Sequence, residues 1–137
     1  SDLMEEAGGK WLSLRPNTDT ALMLGIAHTL HIEGLSDKDF LNKYTEGFDI
    51  FLNYLLGSND GIQKDANWAA EICDIPANEI RELARRMVSN RTMISVSWSL
   101  TRQDHGEQPF WMAIMLASMI GFGVVLSAKI NHKQIIA

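Results

Sequence analysis

The chain has 137 residues, a length that suits one domain or a piece of a larger protein. Hydrophobic residues make up 46% and charged residues 21%, which is usual for globular chains and argues against disorder. The formal net charge is −5 with dispersed acidic groups, which argues against a nucleic-acid partner. The single cysteine, Cys73, leaves no intrachain disulfide and no cysteine cluster for a metal; we expect it to be buried.

Apolar spacing predicts helices through the first half of the chain. The first helix runs from Ala21 to a stop at Gly34, and Thr18 or Asp19 can cap its start. Three shorter helices follow over residues 36–44, 49–56 and 68–72. Ser36 is the expected cap of the first of these and Asp65 of the last.

The second half alternates helix and strand patterns. Residues 77–89 carry an apolar stripe from Ile80 to Val88, with arginines on the other side, and predict an amphipathic helix. Residues 92–96 predict a short strand, and an apolar helix begins near Phe110. A strand between two helices favours an α/β fold, rich in helix, with helices around a short parallel sheet.

The stretch from Phe110 to Ala128 contains no charged residue, so by length it is a candidate membrane span. Gly121 and Gly123 interrupt it, and the polar sequence before it is typical of a soluble protein. We therefore favour a buried helix that ends near Gly121 and is followed by a strand-like segment at 124–126, and we expect no membrane partner.

A polar segment follows the predicted strand. It holds Trp98, Arg102, His105 and Glu107, and ligands of open α/β sheets bind beyond the carboxyl ends of strands. Each residue also has a plainer interpretation. Trp98 can be a packed aromatic, Arg102 can form a surface ion pair, and His105 and Glu107 can simply begin the next helix.

Together these segments resemble the molybdopterin oxidoreductases of the dimethyl sulfoxide reductase family, and most closely its branch of trimethylamine-N-oxide and biotin sulfoxide reductases. The similarity covers roughly residues 11–121. The matching blocks, in chain order, are Arg15–Leu30, Asp39–Tyr44, Tyr54–Gly57, Trp68–Cys73, Ile80–Ala84, Asn90–Thr92 and His105–Gln108.

The resemblance implies a fragment of a much larger enzyme. Residues 1–121 would form part of a Rossmann-like domain that holds half of a bis(molybdopterin guanine dinucleotide) cofactor with molybdenum. Asp19 would accept both N–H groups of the guanine edge, and Asn17 and Thr18 would add polar contacts. Trp98 and Arg102 would lie beside the pterin and the funnel for a small S-oxide or N-oxide substrate.

Two departures from the family pattern affect these expectations. Ser97 stands where relatives usually carry glycine. We expect it to contact the cofactor, with the backbone lying less close to the cofactor than it does in those relatives. Residues 122–137 replace a glycine-rich loop and form a divergent tail. The serine that binds molybdenum in this branch has no counterpart here, so we expect no metal ligand, no catalytic residue and no activity from this chain alone.

Two other classes of protein remain open from the residues alone. One is an autonomous small α/β module that binds a nucleotide or a partner without catalysis, although no glycine-rich phosphate loop is present. The other is a helical membrane or interaction protein built on the apolar stretch that begins at Phe110.

Overall fold

The computed structural model describes residues 6–121. Its helices are α1 (Asp19–Ile32), α2 (Lys38–Tyr44), α3 (Phe48–Leu55), α4 (Ala66–Cys73), α5 (Ala77–Ser89), a 3-10 helix (Trp98–Arg102) and α6 (Gln108–Met119). Helix α1 lies at the centre and packs against α4, α5 and α6, while α2 packs on α6.

Helix α1 can occupy the centre because it carries apolar side chains on most of its sides. Its buried side chains include Leu24, Ala27 and Leu30. Gly25 allows α4 and α5 to approach closely, since a Cβ atom there would lie 2.7 Å from the Ala69 Cβ and 3.3 Å from the Ile80 Cγ2. The close contact of α1 with α4 and α5 therefore depends on one glycine.

Two of the local signals for helix ends, Asp65 and Gly34, are confirmed. The Asp65 side chain accepts a hydrogen bond from the Trp68 amide at 2.7 Å and caps α4. Gly34 follows α1 with a φ of +67°, the left-handed conformation that favours glycine at a helix end. The expected cap of α2 is wrong: Asp37, not Ser36, accepts from the Phe40 amide at 2.9 Å.

The predicted strand at 92–96, and with it the parallel sheet and the Rossmann-like α/β fold, are wrong for the described part of the chain. Residues 91–97 have no regular secondary structure, although Thr92, Ile94 and Val96 are buried. A strand also requires backbone pairing with a neighbour, and no segment within 6–121 supplies it. The described residues form a helical structure without a sheet.

The first part of the uncharged stretch is helical, and this helix ends near Gly121, as expected. Helix α6 stops at Met119, and Gly121 has a φ of +77°. Between residues 6 and 121, no helix has both the length and the apolar character of a membrane span. The divergent tail at 122–137, including the strand-like segment at 124–126, lies outside the described residues.

Candidate functional site

A polar cleft of about 380 Å³ opens between the start of α1 and the segment that precedes α6. It joins two parts of the chain that are distant in sequence. The residues that line it are Asn17, Thr18, Thr20, Ala21, Leu24, Tyr54, Trp68, Ile72, Asp104, His105 and Gln108.

The start of α1 leaves its backbone amides available to the cleft. Asn17 adopts a left-handed conformation with a φ of +65°. Thr18 is the cap residue by position, but its Oγ1 donates to the Arg15 carbonyl at 2.6 Å instead of capping. Asp19 begins the helix, half-buried, so neither side chain makes the expected cap, and none of the described residues replaces it. An uncapped helix start favours anions and hydrogen-bond acceptors.

The opposite wall depends on a tight turn at Gly106. A Cβ atom there would lie 2.4 Å from the Leu100 carbonyl oxygen and 2.8 Å from the Thr101 backbone, so only glycine lets this segment fold onto the 3-10 helix. His105 precedes it with a φ of +52°, an uncommon conformation for a residue other than glycine. The turn thereby places His105 and Gln108 at the cleft.

Acidic groups flank His105. Its imidazole nitrogens lie 3.9 Å from an Asp104 oxygen and 3.9 Å from a Glu107 oxygen, and all three side chains are exposed. The pKa of Glu107 is lowered, first by its own backbone amide, then by a hydrogen bond from Gln108, and less by His105. This segment therefore places the carboxylates of Asp104 and Glu107 beside an imidazole.

A second, apolar groove of about 230 Å³ adjoins the cleft. Thr20, Leu24, Tyr54 and Gln108 line both, so the polar cleft and the apolar groove are continuous. The groove also has Phe51, Trp111, Met112 and Met115 on its walls, and no charged side chain lines it.

Lys64 makes a cation–π contact with the ring of Tyr54. The Lys64 ammonium is buried, lies 4.6 Å from the centre of the Tyr54 ring, donates to the Ile62 carbonyl at 2.6 Å and pairs with Asp60. This cation fixes the ring that the cleft and the groove share. The pKa of Asp60 is lowered, mainly by its hydrogen bond from Lys64.

The predicted site residues divide into two groups. Asn17 and Thr18 line the cleft, and Asp19 directly follows them. Trp98 and Arg102 belong to the 3-10 helix, Ser97 directly precedes it, and none of the three lines the cleft.

Within the second group, Ser97 caps the 3-10 helix through the Ser99 amide at 3.3 Å. Trp98 is 66% exposed and stacks edge-on against Phe110 with ring centres 6.3 Å apart. Arg102 is exposed and has no salt-bridge partner between residues 6 and 121, so its plainer interpretation as part of a surface ion pair is not supported there. A predicted central strand was the reason for expecting Trp98 and Arg102 at one sheet edge, and that strand is absent.

Sequence reasoning gave too little weight to other residues of the cleft. The resemblance includes His105 and Gln108 in a matching block without implying a cofactor contact for them, and both line the cleft. Tyr54 and Trp68 gave no signal beyond their place in matching blocks, because their convergence depends on how α3 and α4 pack.

The described residues offer no group of three side chains suited to a metal ion. Cys73 is buried, as expected. His28, on α1, is also buried, and its pKa is lowered chiefly by burial, with a smaller opposing effect of Asp65. Its Nε2 atom has no hydrogen-bond partner in the described structure.

Comparison with known proteins assigns the family. The family model for molybdopterin oxidoreductases matches residues 7–137. A dimethyl sulfoxide/trimethylamine N-oxide reductase of Cereibacter sphaeroides is 59% identical over 114 residues, which is 83% of this chain and 14% of that protein. A trimethylamine-N-oxide reductase of Haemophilus influenzae is 50% identical over 121 residues, 88% of this chain and 15% of that protein.

A biotin sulfoxide reductase of Cereibacter sphaeroides is 50% identical over 120 residues, which is 88% of this chain and 16% of that protein. The chain thus spans about a sixth or less of the length of these relatives. The resemblance inferred from the motifs is confirmed, and the chain belongs to the molybdopterin oxidoreductase family.

Proposed function

We propose that the chain is part of a molybdenum-dependent reductase of S-oxides or N-oxides, and that it helps to hold the guanine dinucleotide form of molybdopterin. Membership of the family implies a molybdopterin cofactor with molybdenum. The relatives are named for dimethyl sulfoxide, trimethylamine N-oxide and biotin sulfoxide, which defines the substrate class. The observation that carries the proposal is the polar cleft at the uncapped start of α1.

The groups at this cleft fit the nucleotide end of such a cofactor. Free amides at a helix start bind phosphate or carbonyl oxygens. The Asn17 amide and the Thr18 hydroxyl add hydrogen bonds, and the Asp19 carboxylate can accept both N–H groups of a guanine edge.

The 3-10 helix would form a second contact with the cofactor and the substrate. Trp98 offers an exposed aromatic surface, and Arg102 offers a guanidinium that no described carboxylate neutralises. A planar cation with several donors suits phosphate or the polarised oxygen of an oxide. Ser97, which directly precedes the 3-10 helix, would contribute its hydroxyl to this contact.

Reduction of an oxide to its sulfide or amine consumes two electrons and two protons and releases water. The molybdenum centre supplies this redox chemistry when bound. The residues of this chain would bind and orient the cofactor and the substrate, and we expect no turnover by the chain alone. Trimethylamine N-oxide reduction by the purified, molybdenum-loaded chain would contradict that expectation.

A chimera tests the guanine contact. Residues 7–121 replace the matching segment of the Cereibacter sphaeroides dimethyl sulfoxide/trimethylamine N-oxide reductase, and Asp19→Ala is compared with Asp49→Ala, an acidic residue in the first turn of α3. Loss of a charge-assisted bond worth about 1.5–3 kcal/mol weakens cofactor retention roughly ten- to a hundredfold. Asp19→Asn should be intermediate, since it keeps an acceptor without the charge.

Molybdenum and guanine content after exhaustive dialysis measure this retention. Unchanged content in both Asp19 variants would leave Asp19 with no role in cofactor binding.

In the same chimera, Arg102→Lys should lower kcat/KM for trimethylamine N-oxide with little change in thermal stability, because lysine keeps the charge but loses the planar fork. Arg91→Lys, at another exposed arginine, is the control; equal kinetics for both would remove Arg102 from the site.

A further inference from the structure

We infer that the outer face of α6, together with the apolar groove beside α3, is an internal interface that receives an apolar, uncharged surface of the remainder of the same reductase polypeptide. This inference rests on the proposal that the chain is one part of a longer reductase. It concerns residues that the cofactor proposal does not use.

The first argument is the composition of α6. No charged residue occurs between Gln108 and Met119. Its inner side packs into the core, yet its outer side exposes Trp111 (65%) and Ile114 (46%). A helix that is apolar all round is normally buried on all sides. Helix α6 is buried on one side only within the described residues.

The second argument is that the exposed apolar residues are contiguous with a formed groove. Trp111 lines the groove of about 230 Å³, and Phe51 and Tyr54 of α3 form part of its other walls. Ile50, also on α3, is 73% exposed. Soluble proteins seldom leave such surfaces open to water, and a groove between two helices suits inserted apolar side chains.

The third argument concerns the occupant. The relatives that this chain matches are about six to seven times longer than the aligned segment, since it covers 14–16% of each. A folded chain of about 300 residues or more buries roughly three quarters of the surface that its unfolded form exposes, so the remainder of the polypeptide is the first source of a cover for this face. A segment of the same polypeptide binds without a loss of translational and rotational entropy between separate molecules, whereas binding of a second copy includes that loss.

The charge of the surroundings defines the chemistry of the occupant. No charged side chain lines the groove. A charged partner surface would lose its hydration there without gaining a counterion. The occupant should therefore present aliphatic or aromatic side chains.

Cysteine accessibility tests this inference. Ile114→Cys places a thiol on the outer face of α6, and Glu82→Cys places one on the exposed, charged side of α5. The native Cys73 is buried and contributes little labelling. Each variant is made in the 137-residue chain and in the chimera described above, and the rate of reaction with a maleimide is compared with that of the unsubstituted protein.

We expect both thiols to react at similar rates in the 137-residue chain, and Ile114→Cys to react roughly tenfold or more slowly than Glu82→Cys in the chimera, because reaction then requires local opening. Equal rates in the chimera would overturn the inference. Protection already in the 137-residue chain, with a dimer in sedimentation, would also overturn it in favour of a second copy. A chimera that protects Ile114→Cys but holds no molybdenum would count against the proposed function alone.

Discussion

Helices α5 and α6 have similar inner sides and opposite outer sides. Both pack against α1 with fully buried side chains, Ile80 in α5 and Leu116 in α6. The outer side of α5 carries arginines and glutamates, and Arg85 forms two hydrogen bonds with Glu33 at 2.8 and 2.7 Å. The outer side of α6 has no charge at all. The outer side of α5 therefore suits contact with water, whereas the outer side of α6 suits the contact with protein that we have inferred.

The largest expected effect concerns the similarity of the two inner sides. Ile80→Ala and Leu116→Ala should each lower the free energy of unfolding by about 2–5 kcal/mol, because each removes a buried side chain from a packed contact with the α1 core. Chemical denaturation of the 137-residue chain measures both. Arg86→Ala, on the charged side of α5, is the control. A negligible cost for Leu116→Ala alone would mean that α6 needs further partners to dock.

A smaller effect should appear in the pH dependence of the free energy of unfolding, through the buried His28 of α1. Burial lowers the pKa of His28 from its ordinary value of 6.5; Asp65 opposes this, whereas His31 and Arg81 reinforce it. The unfolded chain then binds the proton more readily than the folded one. Stability is therefore complete above about pH 6.5 and declines as the pH falls from there toward the folded pKa.

Thermal unfolding between pH 7.5 and 5 measures this decline. His28→Leu should flatten it, because the titrating group is gone, and His31→Leu, one turn further along α1, should leave most of it in place, because His31 is a lesser cause of the lowered pKa than burial. If the two variants show the same pH profile as the unsubstituted chain, the buried imidazole does not control this range.

The smallest effect should come from the ion pair that finishes the outer side of α5. Hydrogen bonding from Arg85 lowers the pKa of Glu33, so the contribution of the pair is present above the ordinary pKa of that carboxyl and is lost as the pH falls through the folded value. Glu33→Gln should cost less than about 1 kcal/mol, since both side chains meet water and salt.

A double-mutant cycle with Glu33→Gln and Arg85→Gln at two salt concentrations isolates that coupling. Glu82→Gln, an exposed glutamate on α5 without such a bond, is the control. A coupling that does not weaken in high salt would show that the pair is less solvated than its exposure indicates.

The helices were predictable because their signals are local. The apolar stripe of α5 gave bounds of Ala77–Ser89, which the structure reproduces. The Asp65 cap and the Gly34 stop act within one turn of their own helix. The error at α2 is of the same short range: Ser36 and Asp37 are adjacent, both can cap, and the backbone path selected Asp37.

The sequence by itself determined the family and the helical segments, since blocks of residues and helical periodicity are written along the chain. Only the tertiary structure decided that the segment at 91–97 has no strand beside it among the described residues, because backbone pairing needs a partner that no local pattern supplies. Tertiary packing likewise decided that Asn17 and His105 share a cleft, and that Trp111 stays exposed while Met112, its neighbour, is buried. These outcomes depend on which helix faces meet, and contacts between distant parts of the chain set that choice.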